Sequence, residues 1–281
     1  MSSFSQLSGD TRTPRPFLKW AGGKSQLLAQ FEPLYPASFN AYHEPFVGGG
    51  AVFFHLFATG RLRGKRVVLS DINPELINIY RVVQNSVHEL IEDLKRHRNE
   101  RDYYYAIRAE EPQDPVRRAS RMIFLNKTCY NGLWRVNRKG KFNVPFGRYK
   151  NPKICDEEAL LAAHAALQNV EILLAPFETV LDRAKPGDFI YFDPPYHPLN
   201  ETSNFTSYTP DNFGPEDQRR LAAVFRELDR RGCLVMLSNS DTPFIHELYR
   251  GYRIDKVWAS RAINSKADRR GQITEVVVRN Y

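Results

Sequence analysis

The segment Asp188-Phe189-Ile190-Tyr191-Phe192-Asp193-Pro194-Pro195-Tyr196 joins an apolar run to a polar turn. The run from Phe189 to Phe192, bounded by an acid and by proline, predicts a short buried strand. Pro194 and Pro195 fix the backbone that follows and donate no hydrogen bonds. The strand is therefore expected to deliver the Asp193 carboxylate to the end of a sheet, beside the bare carbonyl oxygen of Pro194.

Further apolar runs elsewhere predict the other strands of that sheet. They are Ala41–Phe46, Arg66–Ser70, Val170–Leu174, Leu234–Leu237, Tyr252–Trp258 and Thr274–Tyr281. Helical stretches such as Glu216–Arg230 lie between some of them, and this alternation is typical of a three-layer α/β fold. We expect a mostly parallel sheet with helices on both faces, and an antiparallel pair formed by the last two runs.

The alternation stops between Glu75 and Ala166. Two polar helices are predicted there, Glu89–His97 and Pro115–Asn126, followed by a basic region with the turn residues of a hairpin. This stretch is the best candidate for an inserted domain. The predicted division is a mobile tail in residues 1–15, a core domain made of residues 16–74 and 167–281, and an insertion in residues 75–166.

The composition is typical of a globular protein of the cytoplasm. A hydrophobic fraction of 42% in 281 residues is enough to build a packed core. No apolar run approaches the roughly 18 residues of a membrane span, and the Ser/Thr-rich start has no apolar core that would predict a secretory signal. Cys129, Cys155 and Cys233 form no CxxC pair, which favours a reducing compartment without disulfides or a structural metal.

The positive charge is concentrated in one segment. Residues 116–155 hold 11 Lys and Arg and no Asp or Glu, whereas the rest of the chain has 29 basic and 32 acidic residues. The same segment carries aromatic and turn residues, among them Tyr130, Trp134 and Tyr149. A solvated basic face is the simplest interpretation of a charge run, but basic and aromatic side chains on turns favour a nucleic-acid partner.

A glycine run and an acid predict a nucleoside site at the carboxyl edge of the sheet. Gly48-Gly49-Gly50 follows a predicted strand and opens a helix, so a ligand can approach the backbone closely. Asp71 ends the next predicted strand, a spacing that suits a carboxylate accepting hydrogen bonds from ribose hydroxyls. The run lacks the GxGxxG pattern, which disfavours a dinucleotide. A purely structural turn and cap is the alternative.

The tetrapeptide Asp193-Pro194-Pro195-Tyr196 has the groups needed to hold an exocyclic amine on a planar base. A carboxylate and a carbonyl accept the two N–H groups, and Tyr196 offers a flat face. An adenine N6 lone pair is delocalised into the ring, so accepting both hydrogens favours a pyramidal nitrogen that can attack a methyl sulfonium. Such a base must leave the helical stack. The alternative is a proline turn with no catalytic role.

In combination these residues resemble the DNA adenine methylase (Dam) family, the D12 class of adenine-N6 methyltransferases. The resemblance covers nearly all of residues 16–281. Its motifs are Phe17–Lys24, Glu44–Gly50, Ser70–Asn73, the tetrapeptide and Asn204–Tyr208. It implies a Rossmann-like class I methyltransferase fold, S-adenosyl-L-methionine as cofactor and an inserted domain that recognises double-stranded DNA.

The resemblance also implies roles for individual residues. The cofactor would contact Trp20, Lys24, Phe46, Gly48, Gly50, Asp71, Phe177 and Asp193. DNA would contact Lys19, Tyr130, Asn131, Leu133, Arg135, Pro145, Arg148 and Asn204. In members that read GATC the positions matching Leu133, Arg135 and Pro145 face the bases, and this chemistry agrees with guanine and thymine recognition. Trp134 departs from the smaller residue expected at its position, and the loop 261–272 is not a close match.

The function that follows is site-specific transfer of a methyl group to N6 of adenine in double-stranded DNA, with GATC as the expected target. A cytosine-N4 or RNA amino-methyltransferase and a DNA-binding module without catalysis are the alternatives. We expect a monomer that acts on nucleoid DNA, with no membrane association. A cognate restriction endonuclease is a candidate partner.

Overall fold

Seven strands and nine α-helices make up the described part of the chain. The computed structural model describes residues 13–137, 139–198, 213–260 and 272–281. The strands are β1 (Tyr42–Glu44), β2 (Val67–Asp71), β3 (Val170–Leu174), β4 (Phe189–Phe192), β5 (Leu234–Ser240), β6 (Arg253–Ser260) and β7 (Gln272–Arg279). The helices are α1 (Leu28–Phe31), α2 (Ala51–Ala58), α3 (Pro74–Asn85), α4 (Val87–Leu94), α5 (Arg101–Ala109), α6 (Pro115–Thr128), α7 (Glu157–Leu167), α8 (Pro215–Arg230) and α9 (Pro243–Leu248).

All seven strands form one sheet in the order β3-β2-β1-β4-β5-β7-β6. Strands β1 to β5 pair in parallel, and β7 is antiparallel to both β5 and β6. The predicted parallel sheet and the predicted antiparallel pair are both confirmed. Because β1, β2 and β4 are parallel neighbours, Glu44, Asp71 and Asp193 reach the same edge of the sheet.

The sheet is covered on both faces. Phe189 and Tyr191 of β4 belong to one apolar cluster, which includes Phe53 of α2. Ile190 and Phe192 belong to a second cluster with α8 and α9. Successive side chains of a strand point to opposite faces, so alternate residues entering separate cores place helices on each side. This is the three-layer architecture predicted from the sequence.

Two helices start directly at the carboxyl edge of the sheet. Gly50, in the left-handed conformation at φ 69°, precedes α2. Asn73 caps α3, its side chain accepting hydrogen bonds from the backbone N–H of Glu75 and Leu76. These short connections fix the loops after β1 and β2 against the sheet.

The stretch between β2 and β3 contains five helices, and the two predicted polar helices correspond to α4 and α6. Helix α3 packs against α6 and α7, and α4 packs against α6. Side chains of this region, Leu90, Tyr104 and Phe124, join the apolar cluster that covers one face of the sheet. After α6 the chain forms two arms, residues 130–136 and 142–149, and the first begins with a 3-10 turn over Tyr130–Gly132. We call them the recognition arms after the DNA-reading role predicted for them. Antiparallel bridges join Cys129 to Phe146 and Val136 to Phe142, as the predicted hairpin requires.

Several predicted elements differ from the structure in their bounds. Strand β1 stops at Glu44, before Pro45, which has no N–H to donate. Strand β5 continues past Leu237 to Ser240, since the polar residues there are buried and hydrogen-bonded. The predicted tail falls mainly on residues outside the described part, although Arg15 at its end forms an ion pair with Asp156 at 3.1 Å. No described helix has the length and apolar character to cross a membrane.

Candidate active site

Asp193 and Lys24 form an ion pair where β4 ends. Lys24 Nζ lies 2.8 Å from Asp193 Oδ1 and also donates to the carbonyl of Gly22. The lysine side chain is only 4% exposed and that of Asp193 19%. Burial of a charge is unfavourable without a partner, so each group stabilises the other here. The structure thus brings a residue of the amino-terminal motif onto the tetrapeptide, 169 positions away in the sequence.

The environment of Asp193 moves its titration toward neutral pH. Burial raises the pKa of Asp193 to about 6, while the neighbouring Lys24 opposes the rise. Behind the pair, fully buried Glu44 accepts a hydrogen bond of 2.8 Å from Tyr42 Oη. Burial raises the pKa of Glu44 to about 8. Asp193 is therefore a carboxylate at pH 7 with a negative charge that little solvent screens.

Residues from three other elements hold the remainder of the tetrapeptide. Tyr196 Oη donates to Glu275 Oε2 of β7 at 2.8 Å, and Lys24 Nζ lies 4.7 Å from the centre of its ring. Gln218 of α8 donates to the Pro195 carbonyl at 2.9 Å and accepts from Asn239 of β5 at 3.0 Å. Among the described residues none donates to the Pro194 carbonyl.

Sequence reasoning missed Gln218, Asn239 and Glu275. Gln218 and Asn239 are fully buried polar residues, and a buried polar group normally has a partner. Their positions within an amphipathic helix and a mostly apolar strand carry no motif. A polar residue at a position whose neighbours predict burial was the available signal.

The glycine loop and Asp71 form a second polar centre at the same edge. Gly48 N donates to Asp71 Oδ2 at 3.2 Å, and Asn73 N donates to Asp71 Oδ1 at 3.0 Å. Gly48 has φ 47°, and a Cβ added to it would come within 2.9 Å of Trp20 Cδ1. Burial raises the pKa of Asp71 to about 6, and these backbone N–H groups oppose the rise. A carboxylate fixed in this way is a preformed acceptor for hydroxyl groups.

Apolar surface flanks this second centre. The rings of Phe46 and Phe177 stack with centroids 5.4 Å apart and an interplanar angle of 24°. Phe177 is 6% exposed, and Arg220 lies 5.7 Å from the centre of its ring. Ile72, next to Asp71, is 60% exposed although it is a large apolar residue. Sequence reasoning did not select Ile72, and its place directly after the acid was the signal available.

The recognition arms display most of the residues predicted to contact DNA. Tyr130 is 55% exposed, and Asn131 adopts the left-handed conformation at φ 56°. Arg135 and Pro145 are exposed, and Leu133 is half-buried. Arg135 Nε donates to Asn143 Oδ1 of the facing arm at 2.8 Å, so the second arm orients the guanidinium.

Lys19 connects the amino-terminal segment, residues 17–24, to these arms. Its Nζ lies 4.4 Å from the centre of the Tyr149 ring, and its aliphatic chain packs beside Gly132. Buried Asn126 of α6 accepts from Lys19 N at 2.9 Å and donates to the carbonyls of Lys19 and Gly132 at 2.7 and 3.1 Å. The segment that supplies Lys24 to the active site is thereby fixed to the base of the arms.

The basic segment is less available to a partner than its charge suggests. Arg118 pairs with Glu75, Arg121 donates to carbonyls of α5, and Lys153 pairs with Asp156. The exposed cations without an acidic partner among the described residues include Arg135, Lys139, Arg148 and Lys150. Asn204 and Arg138 lie outside the described residues, as does nearly all of the loop 261–272. All three cysteines are free, and the described residues contain no cluster of His, Cys, Asp or Glu suited to a metal.

Comparison with known proteins places this geometry in one family. The model of the D12 class N6 adenine-specific DNA methyltransferases matches residues 20–263. The type II methyltransferase M.MjaIII of Methanocaldococcus jannaschii is 49% identical, over 95% of this chain and 99% of that protein. The type II methyltransferase M1.LlaDCHI of Lactococcus lactis is 45% identical over 95% of both chains. A DNA adenine methylase of Haemophilus influenzae is 37% identical, over 94% of this chain and 92% of that protein. The chain therefore belongs to the D12 class of N6 adenine-specific DNA methyltransferases.

Proposed function

We propose that this methyltransferase uses S-adenosyl-L-methionine to methylate N6 of a flipped adenine in double-stranded DNA, within GATC. The observation that carries the proposal is the pairing of Asp193 with Lys24 beside the Pro194 carbonyl, to which no described residue donates, at the same sheet edge as Asp71. The centre at Asp193 suits an amine, and the centre at Asp71 suits a ribose. Two such centres at one edge of the sheet, on strands β2 and β4 with β1 between them, suit a nucleoside donor and a base that accepts a methyl group.

The residues around Asp71 fit the nucleoside part of the cofactor. Asp71 is a half-buried carboxylate that the backbone has already oriented, and it would accept hydrogen bonds from ribose hydroxyls. Gly48 and Gly50 stay predicted contacts of the cofactor, and the positions of their missing Cβ atoms are filled by Trp20 and Tyr80. Exposed Ile72 offers an apolar surface to a planar base. Contacts of the cofactor with Trp20, Phe46 and Phe177 stay predictions. When bound, the cofactor supplies an electrophilic methyl group on a sulfonium.

The tetrapeptide would hold the target amine. Lys24 occupies Oδ1 of Asp193, which leaves Oδ2 as the oxygen for one N–H, and the Pro194 carbonyl would accept the other. Tyr196, whose hydroxyl is held by Glu275, provides a flat surface for the base. Lys24 keeps Asp193 charged near neutral pH, so the carboxylate stabilises positive charge that develops on the amine and can receive its proton.

The recognition arms would read the flanking bases. Arg135 would contact a guanine bidentately, and Leu133 and Pro145 would make apolar contacts with thymine methyl groups. Lys19 would add a guanine contact, while Tyr130 and Asn131 would insert near the target pair. Arg148 and Asn204 stay predicted DNA contacts.

Product identity tests the reaction. The protein is incubated with S-adenosyl-L-methionine and a duplex containing GATC, and the DNA is digested to nucleosides for mass spectrometry. We expect N6-methyladenine and no N4-methylcytosine. A product confined to cytosine, or to RNA in a parallel incubation, would contradict the proposed acceptor.

The wider organisation stays a set of predictions. We expect a monomer of about the 32.5 kDa chain mass in analytical ultracentrifugation. A cognate restriction endonuclease is the proposed functional partner. Residues 75–166 are the proposed recognition domain, although their helices share a core with the catalytic sheet.

A further inference from the structure

Trp134 lies where the recognition arms meet the amino-terminal segment. Its indole is 8% exposed. The indole of Trp20 stacks on it with ring centroids 6.4 Å apart and an interplanar angle of 22°. Phe142, on the second arm, packs against it at 5.1 Å between centroids. Trp134 is thus held between the segment that carries Lys24 and the arm that carries Asn143, the partner of Arg135.

Trp20 in turn touches the glycine loop at the cofactor site. The position that a Cβ of Gly48 would occupy is 2.9 Å from Trp20 Cδ1, so no free space separates them. Gly48 also donates its N–H to Asp71. A continuous row of contacts therefore runs from Asp71 through Gly48, Trp20 and Trp134 to the second arm. A ligand that moves the glycine loop must displace Trp20 or change its stacking.

The base of the arm is fixed to the same segment by a separate contact. Asn126, 1% exposed, holds the backbone N–H and carbonyl of Lys19 together with the carbonyl of Gly132. The arm and the segment cannot slide past each other without breaking these buried hydrogen bonds. A displacement of Trp20 is then transmitted to the arm by side-chain stacking.

We propose that Trp134 is a positioning residue that couples occupancy of the cofactor site to recognition of DNA by the arms. The inference rests on the proposed function. Packed side chains that contact one another transmit such coupling, and the coupling must be reciprocal between the two ligands. If Trp134 only filled the core of the arm, its loss would lower stability and the affinities for cofactor and DNA. The factor by which DNA changes the affinity for the cofactor would stay the same.

Binding of S-adenosylhomocysteine, which has no methyl group to transfer, measures the coupling. Its Kd is determined by titration calorimetry with and without a saturating GATC duplex. For the wild type we expect DNA to change this Kd by at least about fivefold, the lower end of ordinary coupling between sites. In Trp134→Leu the ratio of the Kd without DNA to the Kd with DNA should come near one. Trp134→Phe keeps an aromatic ring against Trp20 and should retain most of the effect of DNA on this Kd.

The chain offers a matched control and a measurement that does not depend on replacing a buried residue. Trp258 is 52% exposed on β6, and Trp258→Phe should leave the ratio unchanged. Because the chain has three tryptophans, the tryptophan emission of this variant comes only from Trp20 and Trp134. The emission change caused by S-adenosylhomocysteine should then differ between the free protein and the protein bound to the duplex.

The outcomes separate this inference from the proposed function. Equal ratios in the wild type and in folded Trp134→Leu, or an emission response unaffected by bound DNA, would overturn the coupling role and leave the proposed function standing. Failure of the wild type to bind either S-adenosylhomocysteine or DNA would overturn both.

Discussion

Two carboxyl groups at the residue scale control the expected pH dependence. Burial raises the pKa of both Asp193 and Asp71 to about 6, and both are proposed to act as charged acceptors. The value of kcat/KM should therefore fall below pH 6 with a slope approaching two protons, measured by methyl incorporation at low cofactor concentration. Asp71→Asn should show a slope near one. A slope that stays near zero down to pH 5 would contradict both roles.

Stability should respond in the opposite direction. The folded pKa of Asp193 lies above its ordinary value of 3.8, so the folded state favours the protonated form. This stabilisation is present below pH 4 and is lost as pH rises through about 6. Relative to Asp193→Asn, the wild type should lose free energy of unfolding across that range in urea titrations. A constant difference would mean that burial does not control this group.

Arg135 is the residue on which base discrimination is expected to depend. Its guanidinium is exposed and oriented by Asn143, so Arg135→Ala should reduce discrimination at one guanine by about 1–3 kcal/mol. Binding to duplexes with each single substitution in GATC measures this. Arg117→Ala, whose side chain instead faces Glu110, is a control on the same basic segment. Equal weakening on every sequence would make Arg135 a phosphate contact.

The glycine loop after β1 is the element most sensitive to substitution. Gly48→Ala combines a left-handed φ with a contact of 2.9 Å to Trp20, and we expect a loss of about 1–3 kcal/mol in stability with weakened cofactor binding. Gly60 has a similar φ of 75° with open space around it, so Gly60→Ala should cost stability alone. Thermal melts and calorimetric titrations compare the two variants. Equal cofactor affinity in both would remove the loop from the site.

Elements with an apolar pattern were predictable, and those built on polar residues were not. Apolar runs located β3 and β4 at their observed bounds. The end of β5 was missed because its side chains are polar, yet Ser238 bonds Tyr191 and Asn239 bonds Gln218 inside the core. Helix α5 was missed because it buries only Tyr104 and Ile107. The resemblance predicted that Lys24 and Asp193 share the cofactor site, but not their ion pair, since nothing local in the sequence indicates that contact.

The charge distribution of the whole molecule determines how its DNA binding depends on salt. Lys150 is exposed without an acidic partner among the described residues, whereas Arg118 pairs with Glu75. Lys150→Ala should weaken binding to all sequences and reduce the salt slope by about one. Arg118→Ala should leave the slope unchanged. Gel-shift titrations at several salt concentrations measure the affinity of both variants for DNA. If affinity depends on salt equally in both, the ion pairs within the protein do not determine which cations contact DNA.

One labelling experiment tests the central claim, that Asp193 directs methyl transfer to an adenine amine in GATC. Tritiated S-adenosyl-L-methionine is supplied with a GATC duplex, the same duplex with the site scrambled, and one in which purine, lacking the amine, replaces the target adenine in both strands. We predict label on the first duplex only. The Asp193→Asn variant should still bind DNA, but its rate of methyl transfer should fall by at least about 100-fold. Label on the purine duplex, or undiminished transfer by Asp193→Asn, would contradict the account.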